Sequence, residues 1–442
     1  MLIITRRNTL AAGAGALALA GLPRQGHAAI GDANVPLPKM PIEKGASLRI
    51  LRPAKFLGPD QVVWDQNTEE FTKQTGVKVR TDYVGWEDLR PQTAVSARTG
   101  AGPDVVVGWP DDPHLYSEKL IDMSELADYL GKKYGGWYFL AEKYGQKHGT
   151  KSWISIPMGG SGGPCVYRES WVKEAGFDKI PADLGQYLKL CQSLKKNGHP
   201  AGFALGNAVG DGNAFSNWLL WSHGGKIADN SGQVVLDSKE TINALKYVKE
   251  LYPTFISGTL GWNDSSNNKA FVAGDISMTQ NGVSVYFALK NDPSKAKEAA
   301  DTNNVDMPYG VVGKAPQTAL ILNAMVFKHT KFPNAAQNYL RFMMEEEQYV
   351  PWLTGCIGYW SQPLKAYAKA PVWTSDPKIE AYRDSCGNEF WNGYAGPISA
   401  ASSAVTADYV LVHMFASVAS GSASPEDAAK QAASQAQRYY KT

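Results

Sequence analysis

Tryptophan and aspartate side chains occur together in a loop that directly follows a short apolar segment. Residues 105–107 are three valines, and the breaker-rich loop at 108–113 contains Trp109 and Asp111. An unbroken β-branched run of this kind predicts a buried parallel strand, and ligands of open α/β sheets bind beyond the carboxyl ends of such strands. We therefore expect Trp109 and Asp111 to face a ligand cleft.

A serine within a glycine-rich segment offers a different chemistry. Residues 159–163 satisfy the G-x-S-x-G pattern of a hydrolase elbow, with Ser161 in the place of the nucleophile. That elbow needs a strand, a sharp turn and a closely packed helix, whereas Pro164 and the extended segment 165–167 follow here. A secreted serine hydrolase is therefore the less favoured alternative. Its candidate general bases are His199, His223 and His413.

The remaining acidic, histidine and cysteine residues give no catalytic or metal-binding pattern. Glutamates at 345–347 and the Asp111–Asp112 pair could be imagined as glycosidase acids, but glutamates within a helix usually form a solvated face. The histidines lack metal-ligand spacing, and the four cysteines contain no C-x-x-C pair. An oxidising compartment would permit a disulfide, for which Cys356 and Cys386 are the favoured pair. We expect a binding protein without catalytic residues, metal or cofactor, rather than an enzyme.

Regular elements around the loop at 108–113 must position it. Strands are predicted at 47–51, 77–83 and 105–107, and helices at 61–75 and 89–99. This βαβαβ order predicts a parallel sheet. The glycine cluster at 159–164 lies between two extended segments, which suggests that the chain crosses there from one lobe to the next. The rest of the chain is expected to include a strand at 201–205 and one long helix from Pro333 to Tyr349.

Length and composition predict a compact protein with two lobes. A chain of 442 residues is too long for one ordinary core, and 44% hydrophobic against 19% charged residues excludes a disordered chain. Residues 1–29 contain three arginines and no acid, so the remainder carries 41 basic and 42 acidic groups. This near-neutral balance argues against nucleic acid or an anionic membrane surface as the partner.

The first 29 residues resemble a twin-arginine export signal. Arg6 and Arg7 precede a short, mildly apolar run that ends at Leu22, and a small-x-Ala cleavage site completes the pattern. An ordinary secretory signal is the alternative, because Thr9 stands where the twin-arginine motif usually has phenylalanine. Either signal predicts an exported mature chain. No later stretch approaches the ~20 apolar residues that a membrane span needs.

Six short segments occur in an order and at a spacing that carry a family resemblance. They are residues 71–79, 101–106, 120–126, 167–177 with Lys173-Glu174-Ala175-Gly176, 271–282 with Phe271-Val272-Ala273-Gly274-Asp275, and 331–342. Through these segments, which spread over nearly the whole mature chain, the sequence resembles the extracellular solute-binding proteins of ABC importers. The resemblance is to family 1, the large sugar-binding group that includes maltose-binding protein.

This resemblance implies an α/β fold, the two-lobed periplasmic binding protein of type II. Each lobe would be a mostly parallel sheet flanked by helices, and a three-segment hinge would let the lobes close around a ligand. The expected boundaries are 1–29 for the signal peptide, 41–158 plus 305–325 for the N-terminal lobe, and 159–304 plus 326–442 for the C-terminal lobe. The expected crossings lie near residues 156–167, 301–308 and 323–328.

A sugar ligand would need polar side chains around aromatic plates, because it presents hydroxyl groups and an apolar face of C–H groups. Loops that contain both kinds of residue supply the candidates. From the first lobe these are Phe56, Trp86, Trp109 and Asp111, and from the second Trp218, Trp221, Trp262, Asn263 and Asn281. The backbone at Gly159, Ser161 and Gly282 could approach closely, and Gly358, Tyr359 and Trp360 belong to a loop that matches a family loop at the cleft. Trp218 and Trp221, three residues apart, could instead share a buried helix face.

The resemblance also implies a function. We expect a periplasmic substrate-binding component of an ABC transporter, which captures a neutral carbohydrate or polyol by hinge closure and delivers it to a membrane permease. Its partners would be a small-molecule solute and the transmembrane permease subunits, without nucleic acid, and the chain would be a monomer. The main alternative is the same fold binding a charged small solute, such as glycerol 3-phosphate or a phosphodiester. That solute would require Lys55 or Arg168 in the cleft.

Overall fold

The computed structural model describes residues 29–55 and 57–441, so the expected signal peptide at 1–29 lies outside the described residues except for Ala29. Strands of the described part are β1 (Ser47–Pro53), β2 (Lys78–Val84), β3 (Val105–Gly108), β4 (Ile156–Gly162), β5 (Cys165–Arg168), β6 (Met278–Gln280), β7 (Thr302–Val305) and β8 (Ala319–Val326). The first nine α-helices are α1 (Gly58–Thr75), α2 (Trp86–Thr99), α3 (Asp112–Leu115), α4 (Ser124–Lys133), α5 (Phe139–Gly145), α6 (Glu169–Glu174), α7 (Leu184–Lys196), α8 (Asp211–Ser222) and α9 (Lys239–Leu251). The next nine are α10 (Ser266–Ala273), α11 (Ser284–Lys290), α12 (Ala296–Asp301), α13 (Pro333–Met344), α14 (Glu346–Gly355), α15 (Val372–Ser375), α16 (Ala400–Ala407), α17 (Val410–Ala419) and α18 (Pro425–Tyr440).

The larger sheet has five strands in the order β2-β1-β3-β8-β4. Strand β1 pairs in parallel with β2 and β3, as the βαβαβ pattern predicts, and β8 is antiparallel to β3 and β4. The valines of β3 are fully buried, which agrees with their unbroken apolar run. Because β3 ends at Gly108 opposite Asn323 of β8, the loop at 108–113 leaves the sheet beside that strand.

The smaller sheet has three strands in the order β6-β5-β7. Strand β5 is antiparallel to both neighbours. The expectation of a mostly parallel sheet in each lobe is therefore wrong for these three strands. The predicted strand at 201–205 makes only an isolated bridge, between Ala201 and Phe255. The Gly202 N–H also donates a 3.0 Å hydrogen bond to the Met278 carbonyl, so this stretch extends the edge of the sheet without becoming a regular strand.

Two large apolar cores accompany the two sheets. The first core draws mainly on residues 40–158 and 322–382, and the second on residues 165–278 and 390–436. Most of residues 326–382 therefore pack with the larger sheet, although Lys378 and Tyr382 also hydrogen-bond to β7 of the smaller one. The expected lobe boundaries grouped the whole stretch with the smaller sheet. Helix α13 explains this placement, because its alanines and Tyr339 are buried in the first core beside α1.

Three described segments run from one core to the other. The first joins β4 to β5 at residues 163–164, and the second joins β7 to β8 across residues 306–318. These lie at or next to two of the expected crossings. The expected crossing near 323–328 is wrong, because those residues begin inside β8 of the larger sheet. The third crossing instead joins Tyr382 of the first core to Phe390 of the second.

The helix predicted from Pro333 to Tyr349 is two helices, α13 and α14, because the backbone is extended at Glu345 with ψ 150°. The Glu345 carboxylate accepts hydrogen bonds from Tyr129 and Tyr134 at 2.7 and 2.6 Å and forms ion pairs with Lys133 and Arg341. The expectation of a solvated glutamate face is therefore wrong for Glu345, whose side chain is only 15% exposed.

All four cysteines are buried free thiols, so the pair that an oxidising compartment would permit is not formed. The Cys386 Sγ atom lies 3.6 Å from the Ser361 hydroxyl, and a Cβ added to Gly160 would lie 2.5 Å from that sulfur. Cys356 instead ends helix α14. Burial raises the pKa of the Cys386 thiol to about 12, which leaves it protonated and unreactive near neutral pH.

A buried ion pair joins strand β1 to helix α1. Arg52 is fully buried and donates a 2.7 Å hydrogen bond to Asp60 Oδ2, while its guanidinium lies 4.2 Å from the ring centroid of Trp64. The other carboxylate oxygen, Asp60 Oδ1, accepts the indole N–H groups of Trp352 and Trp360 at 2.9 and 3.3 Å. One carboxylate thus anchors the first strand and two tryptophans of the first core.

Asp60→Ala should lower the free energy of unfolding by about 3–5 kcal/mol, because it leaves the buried Arg52 charge and two indole N–H groups without partners. Urea unfolding followed by fluorescence measures this change. The matched control is Glu118→Ala, which removes the exposed ion pair with Lys147 and should leave the free energy of unfolding nearly unchanged. Equal effects of the two substitutions would contradict the assignment.

Candidate functional site

One cavity is lined by residues from both sheets. Its volume is about 100 Å³, several times the roughly 10–15 Å³ that one water requires. Its carboxylates, amides and hydroxyls are Asp111, Asp211, Asp264, Asn213, Asn268, Gln280, Asn281, Asn392, Ser161, Ser284, Thr318, Tyr359 and Thr406. Its indole rings are Trp86 and Trp109, and its basic side chain is Arg90.

Seven of the predicted site residues line this cavity. They are Trp86, Trp109, Asp111, Ser161, Asn281, Gly282 and Tyr359. The loop at 108–113 supplies two of them, and the ends of β4 and β6 supply three more. The loops after these strands meet at one place because the crossing at 163–164 joins the two sheets directly there.

The other predicted tryptophans and glycines pack elsewhere. Trp218 and Trp221 are fully buried in the second core, where the Trp218 indole donates a 2.9 Å hydrogen bond to the Pro308 carbonyl and Trp221 stacks on Phe390. They share the buried face of α8, which was the alternative open from the sequence. Gly159 and Gly358 give room to large neighbours, since an added Cβ would lie 2.8 Å from Trp360 and 2.7 Å from Trp373.

Three further candidates lie just outside the cavity, and one lies outside the described residues. Trp360 is fully buried on Asp60, beneath Trp86. The Trp262 ring packs against Gly202, and the exposed Asn263 side chain accepts hydrogen bonds from its own loop, including the Ser265 N–H at 3.1 Å. Phe56 is not among the described residues.

The aromatic wall of the cavity is a contiguous group of indole rings. Trp86 and Trp109 meet edge to face with ring centroids 4.8 Å apart, and Trp86 lies 6.3 Å from Trp360. Both cavity tryptophans are nearly inaccessible, with Trp109 only 3% exposed. Because Trp360 is held by Asp60 from below, the wall presents a fixed apolar surface to the cavity.

Arg90 holds the loop at 108–113 in position, and it is not among the residues predicted from the sequence. Its guanidinium binds Asp111 at 3.0 Å and Asp112 at 2.7 Å, and both carboxylates are buried. The signal that could have found it is its place on α2, four residues after Trp86 and therefore on the same helix face. Burial disfavours the charged form of Asp112 more than the Arg90 charge favours it, so the pKa of its carboxyl is raised to about 7.

Two further acids, Asp211 and Asp264, line the same cavity. Asp264 Oδ1 accepts the backbone N–H groups of Gly210 and Asp211 at 3.0 and 2.8 Å and so caps the start of helix α8. Burial raises the pKa of Asp264, and burial together with the Asp264 carboxylate raises the pKa of Asp211. Asp264 directly follows the candidate Asn263, whereas Asp211 lies between two glycines at the start of α8, where the sequence offers no candidate.

An amide and hydroxyl network forms the wall that follows β6. The Asn281 amide donates to Asn268 Oδ1, and the Asn268 amide donates a 3.0 Å hydrogen bond to the Ser284 hydroxyl. Gly282 passes so close to Ser161 that an added Cβ would lie 2.6 Å from its Oγ. A glycine is required here because the two chain segments approach without room for a side chain.

The geometry around Ser161 does not support a nucleophile. Ser161 lies within strand β4, opposite Leu320 of β8, rather than at a strand-to-helix elbow. The three candidate bases have partners elsewhere: His199 stacks on Trp171, His223 contacts the Leu219 carbonyl and His413 contacts Asn207.

Neither of the two basic residues proposed for an anionic solute lines the cavity. Arg168 is buried against backbone carbonyls, with a 2.6 Å hydrogen bond to that of Glu298, and Lys55 is exposed. Among the residues that the structure describes, no group of three acidic, histidine or cysteine side chains is arranged to hold a metal ion. No helix of the described ranges is long and apolar enough to cross a membrane.

Comparisons with known proteins agree with the expected fold. The model of the family described as bacterial extracellular solute-binding protein matches residues 66–381, and no curated protein matches the chain by sequence. Maltose-bound MalE3 of T. maritima is 18% identical, covers 89% of this chain and 100% of its own, and superposes with a TM-score of 0.76. An ABC transporter solute-binding protein of Agrobacterium radiobacter K84 with ribitol has 17% identity, coverages of 89% and 98%, and a TM-score of 0.73. A counterpart from Agrobacterium vitis S4 with bound D-mannitol has 17% identity, coverages of 90% and 99%, and a TM-score of 0.71.

The pKa of Asp112 predicts how stability depends on pH. The folded carboxyl holds its proton up to about pH 7, whereas an unfolded Asp loses it near pH 4, so folding binds a proton between these values. The contribution of Asp112 to the free energy of unfolding therefore falls as pH rises through this window, by at most about 1.4 kcal/mol per unit.

Asp112→Asn should remove this contribution, so its free energy of unfolding should fall less steeply between about pH 4 and 7 than that of the wild type. Urea unfolding at several pH values compares the two slopes. Asp237→Asn, at an exposed position, serves as the control and should keep the wild-type slope. Parallel pH profiles for Asp112→Asn and the wild type would show that Asp112 ionises normally.

Proposed function

This chain belongs to the family of bacterial extracellular solute-binding proteins, whose model matches residues 66–381, and we propose that its solute is a carbohydrate or polyol. The observation that carries the proposal is the meeting of two indole rings, Trp86 and Trp109, with carboxylate, amide and hydroxyl groups in one cavity. Indole rings pack on the C–H face of a sugar, and the polar groups bind its hydroxyls. Structures similar to this chain hold maltose, ribitol and D-mannitol, which supports the same class.

An anionic solute such as glycerol 3-phosphate is disfavoured by the charge of the cavity. Three carboxylates line it, and Arg90 is its single basic side chain among the described residues. Phosphate groups are bound by arginine and lysine forks, but the Arg90 fork is already bound to Asp111 and Asp112. A phosphate ester would therefore meet three acids, with the Nη1 atom of Arg90 as the remaining guanidinium donor in the described lining.

We further propose that two lobes close over the solute and that they follow the two cores. The N-terminal lobe would comprise residues 29–162 and 319–382, and the C-terminal lobe residues 165–305 and 390–441. Contacts across the cleft support closure: the Ser403 hydroxyl donates to the Asp111 carbonyl at 3.1 Å, and the Asn392 N–H donates to the Tyr144 hydroxyl at 2.8 Å. Small-angle X-ray scattering should show a smaller radius of gyration with solute than without it.

Export to the periplasm, a monomeric state and delivery to the permease of an ABC importer complete the proposal. The twin-arginine pattern at Arg6 and Arg7 supports export, and the family is extracellular. Amino-terminal sequencing of the protein from a periplasmic fraction should find a chain that begins near residue 30. Light scattering coupled to size-exclusion chromatography should give the mass of one chain.

Isothermal titration calorimetry against sugars, polyols and phosphate esters tests the solute class. We expect at least one sugar or polyol to bind, and Trp109→Ala should weaken that binding about tenfold or more because a stacking surface is lost. The control is Trp171→Ala, whose ring stacks on His199 away from the cavity, and it should bind as the wild type does. Binding confined to phosphate esters would refute the proposal.

A further inference from the structure

We propose that the solute of this cavity carries a basic amine, so that the site takes an amino sugar or amino polyol in preference to its uncharged counterpart. The inference rests on the proposed function and narrows its substrate class. It starts from the buried carboxylates of the cavity, which are more numerous than the described groups can neutralise.

The first observation is the charge of the cavity lining. Asp111 reaches it from the loop after β3, and Asp211 and Asp264 reach it from the start of α8 and the loop before α10. Arg90 is the one basic side chain of the lining among the residues described, and it binds both Asp111 and Asp112. The lining therefore holds more acids than basic side chains, and a cationic ligand would favour the ionised form of those acids.

The second observation is independent of charge and concerns hydrogen bonds. The Oδ2 atoms of Asp111, Asp211 and Asp264 are inaccessible and have no hydrogen-bond partner in the described part of the chain. Asp111 and Asp264 are only 1% and 8% exposed. Buried carboxylate oxygens require donors, and here the cavity is the place from which donors could come.

A protonated amine answers both observations. An ammonium group brings one positive charge and three N–H donors, whereas a hydroxyl group brings a single donor and no charge. An ammonium bound to Asp264 would also lie near the Trp109 ring. Gly210 connects the two, because its N–H binds Asp264 and a Cβ added to it would lie 3.9 Å from Trp109. A bound metal ion is a poorer answer because no group of three suitable ligands is present in the described ranges.

Matched ligand pairs test the inference by calorimetry near neutral pH. D-Glucitol is compared with 1-amino-1-deoxy-D-glucitol, and D-glucose with D-glucosamine, so that each pair differs by one hydroxyl replaced by an amine. We expect the amine of at least one pair to bind at least tenfold more tightly than its partner. Equal or weaker binding of both amines, with either uncharged partner bound, would overturn the inference and leave the proposed function standing. If none of these ligands and no other sugar or polyol binds, the proposed function fails and the inference with it.

Variants identify the groups responsible. Asp211→Asn should weaken binding of the amine at least tenfold more than binding of the uncharged partner, and Asp264→Asn replaces it if the first variant does not unfold cooperatively. The control is Asp427→Asn, an exposed aspartate in the first turn of α18, which should keep the wild-type ratio of the two affinities. An unchanged ratio in Asp211→Asn and Asp264→Asn alike would overturn the inference.

Discussion

The part of the site that follows β3 depends on the ion pairs of the Arg90 guanidinium. Two adjacent acids, Asp111 and Asp112, are buried beside it, and the Arg90 charge offsets part of the cost of ionising them in that environment. The ion pairs fix the loop after β3, and hydrogen bonds to its carbonyls add to this: Asn323 donates to that of Pro110 at 2.7 Å and Ser403 to that of Asp111. Residues that would meet the solute on the proposed function are thus held in place beforehand, which would lower the entropy lost on binding.

The aromatic wall depends on a second buried charge. Asp60 holds Arg52 on one oxygen and the indole N–H groups of Trp352 and Trp360 on the other, and Trp360 supports Trp86. The surface offered to the solute therefore rests on a polar group that does not itself line the cavity. Trp360, which is a candidate because of its loop, therefore supports Trp86 and does not itself line the cavity.

Local patterns in the sequence were sufficient for the strands that deliver the site but not for its charges. The valines of β3 and the glycines that follow the ends of α1 and α2 predict the βαβαβ sheet, because a buried strand and its turns have a local signature. Arg90, Asp211 and Asp264 have none, since a buried acid and a solvated one look alike until distant segments meet. The same limit applies to α13 and α14: Glu345 ends a helix because Tyr129, Lys133 and Tyr134, more than 200 residues away, gather on its carboxylate.

The distribution of acids over the two cores would link binding to the proposed closure. Asp111 lines the cavity beside the first core, whereas Asp211 and Asp264 line it beside the second, so closure would bury acids that must either repel one another or take up protons. Closure without solute would therefore be opposed by this cost and by unmade hydrogen bonds. A solute that donates hydrogen bonds to both halves removes this penalty only in the closed form, and that difference in affinity between the two forms is what shifts a hinge equilibrium. On this proposal, the buried acids of the cavity are the feature that would make closure dependent on the solute.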